Sequence, residues 1–194
     1  MDIEYEATFI DINKDKMRAK LEKAGAKLVR PEFLQKRNVF HLPKGSGIKG
    51  GWLRVRNEGN KIKMTLKVVD GAKIHNQKEI NLEVNDFEKA NQFLVALGCK
   101  KKAYQESKRE LWNLGNVEIT IDEWPFLEPI LEVEGKSEKA VKIACKKLGL
   151  DYSKTLFCAI GAVYSKKYGI PEHIINNKTS KIVFKMKNPF KKHS

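Results

Sequence analysis

"GWLRVRNEGNKIKMTLKVV", residues 51–69, is the stretch on which the fold turns. Side chains two apart in a strand share one face of the sheet. In the run 51–57, Arg54 and Arg56 share one face and Leu53 and Val55 the other. In the run 61–70, Lys61, Lys63, Thr65 and Lys67 stand together, backed by Ile62, Met64, Leu66 and Val68. Both runs are therefore apolar on one side and cationic on the other. An antiparallel sheet with its charged face in water would give the same alternation. Clustering by sign is what that picture leaves out, because like charges side by side repel.

The same sorting recurs along the chain. "IEYEATF", residues 3–9, lines up Glu4, Glu6 and Thr8. The run from Ile74 offers His75, Gln77, Glu79, Asn81 and Glu83, and "YQESKRELW" offers Gln105, Ser107 and Arg109. "VEITID" offers Glu118, Thr120 and Asp122, and "ILEVEG" offers Glu132 and Glu134. Period-two runs predict strands over 2–10, 33–42, 51–57, 61–70, 74–84, 102–113, 116–123 and 128–135. Helical spacing and capping residues predict helices over 14–24, 86–97, 137–148 and 153–167. Eight strands and four helices make an α+β domain dominated by antiparallel strands. Closing that sheet into a barrel would gather the charged faces around a central cavity and leave the helices to cover the apolar exterior.

Composition narrows the function. The chain has 194 residues, 41% of them hydrophobic, enough for one sizeable core. No apolar run approaches the ~18 residues of a membrane span, and the acidic start "MDIEYE" lacks a signal-peptide pattern. Cys99, Cys145 and Cys158 show no paired spacing, so neither a disulfide framework nor a zinc site is expected. The protein reads as soluble and cytoplasmic. Its net charge of +14 implies an anionic partner. Nucleic acid is the default to weigh, but no RNA-binding or helix-turn-helix signature supports it, so it is not favoured. Residues 1–168 are expected to form the domain. Residues 169–194, which end in five lysines and no acid after position 180, read as a basic, poorly ordered extension. The glycine-rich "PKGSGIKGG", residues 43–51, runs into a strand rather than a helix, which argues for a mobile connection and against a P-loop.

With the charged faces turned inward, basic rows would come from Arg54, Arg56, Lys63, Lys67 and Arg109. Acidic rows would come from Glu4, Glu6, Asp122, Glu132 and Glu134. Paired carboxylates bind hard cations such as Mg²⁺ or Mn²⁺ through oxygen, and Arg and Lys rows suit phosphate oxygens. A polyphosphate carrying a divalent metal satisfies both sets.

These residues, in this order, resemble the CYTH family, the triphosphate tunnel metalloenzymes, which includes class IV adenylyl cyclases, thiamine triphosphatases and inorganic triphosphatases. "EYEAT" is similar to the family's E-x-E-x-K opening, with Thr8 where the family has lysine. "LRVR" is similar to its L-R-x-R strand, and "TLKVV" to the segment bearing a phosphate-binding lysine, here Lys67. "QKEIN" keeps Glu79 of an R-x-E-x-E pattern, and "SKREL" supplies Arg109. "ITIDEWPFLEPILEVEG" resembles the strand-ending Asp and the E-x-E strand that follows it. The resemblance implies an eight-stranded closed antiparallel tunnel that binds a triphosphate with Mg²⁺ or Mn²⁺. It makes Glu4, Glu6, Asp122, Glu132 and Glu134 the expected metal ligands. Arg54, Arg56, Lys67, Arg109 and Lys63 become the expected triphosphate-binding residues, and Thr8 and Glu79 further tunnel residues. Three activities follow from it: hydrolysis of a triphosphate, cyclisation of ATP to cyclic AMP and pyrophosphate, or binding without turnover. Hydrolysis leads, because water attack requires no dedicated nucleoside pocket.

Overall fold

The computed structural model describes residues 1–191. In chain order the elements are β1 (Asp2–Ile3), β2 (Tyr5–Phe9), α1 (Lys14–Lys23), β3 (Lys27–His41), β4 (Gly51–Asn57) and β5 (Ile62–Val69). They continue with β6 (Gln77–Val84), α2 (Phe87–Ala96), β7 (Lys100–Leu114), β8 (Val117–Glu123) and β9 (Ile130–Gly135). The chain then forms α3 (Glu138–Lys147), α4 (Ile160–Tyr168), α5 (Glu172–Lys178) and β10 (Lys181–Ile182).

The sheet runs β1-β6-β5-β4-β3-β7-β8-β9-β2, with every pair along this path antiparallel. Its two ends belong to one run of chain. The strand expected over 2–10 breaks at Glu4: Asp2 and Ile3 pair with β6, whereas Tyr5–Phe9 pair with β9. Glu4 itself still donates its N–H to Gln77 O at 2.9 Å. This switch of partners at Glu4 is what closes the barrel. It also explains a strand count above the expected eight, because one run is read as β1 and β2, and β10 joins outside the path.

The barrel is apolar outside, and the helices cover part of that surface, leaving Leu34, Ile80 and Leu82 exposed. Ala7, Leu131, Val133, Ile119 and Ile121 face a core that takes in Met17 and Leu21 of α1 and Val141, Ala144 and Cys145 of α3. Val141, Ala144, Cys145 and Leu148 lie at helical spacing, which gives α3 one buried stripe. On the other side, Ala90 and Leu94 of α2 cover Phe40 and Val55. The N-cap of α2 is Asp86, with its side chain accepting from Lys89 N. Register around that cap leaves Phe93 and Leu97 exposed. Ion pairs and polar contacts line the barrel interior.

Two further differences lie near the C-terminus. The helix expected over 153–167 starts only at Ile160, because Tyr152–Lys154 form a 3-10 turn capped by Asp151 and Leu156 pairs with Thr8 as an isolated bridge. The tail expected to be poorly ordered folds back over the barrel mouth. Residues 172–178 form α5, and β10 adds in parallel to β7, with Ile182 opposite Gln105. The lysines of this tail alternate with Ile182, Val183 and Phe190, which are buried, so its net charge concealed its packing pattern. The last three residues of the expected extension lie outside the described residues. Phe190 packs its ring 4.8 Å from Tyr164 and 5.3 Å from Tyr168. Phe190→Ala should therefore cost about 3–5 kcal/mol of stability. Urea unfolding measures it, and a loss under about 1 kcal/mol would mean that the tail does not pack this way.

Candidate active site

Closure turns the charged faces onto a cavity of about 890 Å³. Glu4, Glu6, Asp122, Glu132, Glu134 and Glu79 all line it. So do Arg54, Arg56, Lys63, Lys67 and Arg109. Thr8, which the sequence placed in the tunnel, is not among the lining residues. It is 3% exposed, and its backbone exchanges hydrogen bonds with Leu156 at 3.1 and 2.9 Å. The chain returning at Leu156 packs this position into a seam of the wall.

The five carboxylates expected together divide into two groups. Oxygens of Glu4, Glu6 and Glu134 lie within 4.8 Å of one another. Strand pairing explains this: Glu6 is opposite Glu134, and the kink at Glu4 brings the neighbouring acid of the same run alongside. Asp122 and Glu132 instead hold Arg109. Its Nε donates to Asp122 Oδ1 at 2.7 Å, and its Nη2 reaches Asp122 Oδ2 at 2.5 Å and Glu132 Oε2 at 2.6 Å. Lys67 Nζ lies 2.5 Å from Glu4 Oε2 and 4.0 Å from Glu6 Oε1. The closer contact ties Lys67 to Glu4 Oε2. Arg54 lies 3.7 Å from Glu79, and Arg56 is 2.6 Å from Glu58. Gln77, fully buried, donates to Glu6 O at 2.9 Å and pins the strand that carries the acids.

Arg37 is among the charged residues of the wall that the expected rows leave out. Arg37 on β3 is 5% exposed and lines the cavity. It pairs across strands with Arg56 on β4 and Gln105 on β7. The signal that exposed the other faces is absent here, because "QKRNVF" puts Gln35, Arg37 and Val39 on one face and Lys36, Asn38 and Phe40 on the other, with a cation on each.

The CYTH domain family matches residues 2–156 of the chain. That span takes in every strand of the barrel and both carboxylate groups.

The chain belongs to the CYTH domain family.

Its structural neighbours share this fold. One is a protein from Pyrococcus horikoshii, 24% identical, covering 80% of this chain and 96% of its own with a TM-score of 0.66. Another is a candidate adenylate cyclase from Vibrio parahaemolyticus, 12% identical, covering 84% of this chain and 98% of its own with a TM-score of 0.71. A third is a candidate adenylyl cyclase from Hippeastrum with a dominant triphosphatase activity, 12% identical, covering 86% and 97% with a TM-score of 0.55. No curated protein matches the chain. Among the described residues, no helix is long and apolar enough to cross a membrane.

The CYTH family supports an enzyme that uses a divalent metal, and the first acidic group fits one. Three carboxylates converge into a donor set of oxygens alone, and hard cations take oxygen ligands. Without a cation the trio is electrostatically strained. Burial, then repulsion from Glu4, Glu118 and Glu79, pushes the Glu134 carboxyl up to about 7. Burial, then Glu132, raises Glu6 well above the usual carboxylate range, against the pull of Lys67. Against its own desolvation, Lys67 is held above the ordinary lysine value by Glu6 and then Glu4.

These shifts predict how the metal-free protein responds to pH. An acid whose folded pKa exceeds its unfolded value binds more protons when folded, so stability falls as pH rises between the two values. His41, lowered by burial and by Lys102, works in the opposite sense, but only below its unfolded value near 6.5. From pH 6.5 to 8 the carboxylates act alone among these groups. In EDTA the melting temperature should fall across that window, at ~1.4 kcal/mol per pH unit for each proton released. A flat or rising profile in EDTA would show that the trio is not strained.

Proposed function

We propose that this CYTH protein hydrolyses a triphosphate substrate, such as inorganic tripolyphosphate, a nucleoside triphosphate or thiamine triphosphate, with Mg²⁺ or Mn²⁺. The observation that carries this reading is one enclosed wall holding a carboxylate trio beside a set of buried cations. A phosphate chain bridging the two would satisfy both.

Glu4, Glu6 and Glu134 would hold the divalent cation, which when bound supplies Lewis-acid stabilisation of phosphate oxygens. The protein's own side chains do the rest. Arg54 and Arg56 would bind phosphoryl oxygens, and their fixed charges offset the negative charge that develops during transfer. Lys67 would orient Glu4 and Glu6 while presenting its remaining N–H groups to the substrate. Lys63, whose ammonium burial disfavours, would gain a counter-charge from the same substrate. Arg109, held by Asp122 and Glu132, keeps the guanidinium in one plane against the tunnel wall. Walls and cap exclude water from these contacts, which strengthens each of them.

The deciding experiment incubates the purified protein with Mg²⁺ or Mn²⁺ and, separately, tripolyphosphate and ATP. Free phosphate from tripolyphosphate is the expected product. Cyclic AMP and pyrophosphate from ATP would replace this reading with the cyclase, and tight binding without turnover would replace it with a binding module.

A further inference from the structure

We propose that Arg37 is a phosphate-binding residue of the tunnel, extending the basic wall of Arg54 and Arg56 to a third strand. The inference rests on the tunnel being a polyphosphate site and goes beyond it in assigning a residue that the sequence signatures do not mark.

Each other buried arginine of the wall has an acid. Arg54 has Glu79, Arg56 has Glu58, and Arg109 has Asp122 and Glu132. Among the described residues no carboxylate pairs with Arg37. Its Nη2 donates to Gln35 Oε1 at 2.7 Å and to Ser107 Oγ, both neutral. Its guanidinium carbon lies 4.4 Å from the centroid of the Trp124 ring. Its Nε is buried with no partner. Stacking and neutral acceptors thus fix the plane of the fork without cancelling its charge.

Such an arrangement is costly in an empty protein. A buried charge without a counter-ion loses hydration that neutral hydrogen bonds only partly replace. Arginine cannot escape by releasing its proton. Burial, then Arg56, Arg54 and Arg109, push the Arg37 guanidinium well below its ordinary value, against the smaller pull of Asp122. A purely structural role is better filled by an apolar chain, because Ser107 Oγ also donates to Gln35 Oε1 at 3.1 Å and that pair would survive without Arg37. An anion in the cavity supplies what the wall lacks. The bonds to Gln35 and Ser107 both use Nη2, which leaves the two Nη1 hydrogens to donate to phosphate oxygens.

The test titrates tripolyphosphate calorimetrically into wild type, Arg37→Met and Arg37→Lys, once in EDTA and once with Ca²⁺. Melting temperatures without ligand are measured in parallel. The expected result is that Arg37→Met melts higher than wild type and binds tripolyphosphate roughly tenfold to a hundredfold more weakly. Arg37→Lys should fall between them in affinity, and it carries the test if Arg37→Met does not fold. Both variants binding within about twofold of wild type would overturn the role of Arg37 and leave the tunnel reading standing. If wild type binds tripolyphosphate in neither condition, the polyphosphate reading itself fails, and this inference with it.

Discussion

Glu6→Gln and Glu134→Gln should each eliminate measurable metal-dependent hydrolysis of tripolyphosphate while leaving the protein folded. Each substitution removes one charge from the carboxylate trio and leaves its shape intact. Losing a charged ligand weakens the grip on a divalent cation and removes the electrostatic stabilisation it provides, an effect of roughly a hundredfold or more in rate. A second readout separates this from damage to the fold. Glu134 has no ion-pair partner among the described residues, and Lys67 keeps Glu4 at 2.5 Å when Glu6 is neutral. Neither substitution therefore orphans a cation. Both relieve repulsion among acids that are already pushed toward protonation. In EDTA at pH 8 both variants should melt at or above the wild-type temperature, and both should lose calorimetric Mn²⁺ binding. Full activity in both would sink the assignment of the trio. Glu4→Gln should behave differently, because it takes away the closer partner of Lys67.

Much of this site was legible because alternation and sign clustering are local properties. The rows at Glu4 and Glu6, Arg54 and Arg56, and Glu132 and Glu134 could be read two residues at a time, and all line the cavity. Partnership was not legible, because it depends on register between distant strands. Nothing local distinguishes Glu132, which holds Arg109, from Glu134 two residues on, which joins Glu4 and Glu6. The kink at Glu4 was hidden for the same reason: its cause is the competition between β6 and β9 for one strand. Thr8 continues the face of Glu4 and Glu6 by period, yet Leu156, far along the chain, pairs with it and packs it away. The tail was misjudged from its lysines, since its folding depends on three buried apolar residues meeting Trp124 and Tyr164.

Arg109→Leu is expected to destabilise the protein by about 3–5 kcal/mol, more than any other change to the tunnel cations. Arg109 and Arg37 are both cations on inward faces of neighbouring strands. The structure gives them opposite surroundings. Arg109 is held charged by Asp122 and then Glu132, against the desolvation that burial imposes. Removing it leaves Asp122, 1% exposed, and its neighbour Glu132 as two unpaired acids facing each other. Breaking one side of a buried pair is expensive because the remaining charge has no solvent to return to. Arg37→Met removes a cation that has no ion-pair partner among the described residues, so it should move stability in the other direction. Arg109→Leu combined with Asp122→Asn should recover part of the loss, since the double change deletes both members of the tighter pair. Urea unfolding of the single and double variants in EDTA measures this directly. A loss below about 1 kcal/mol for Arg109→Leu would mean that Asp122 and Glu132 do not depend on it. Arg109 would then be as free as Arg37 to serve the substrate.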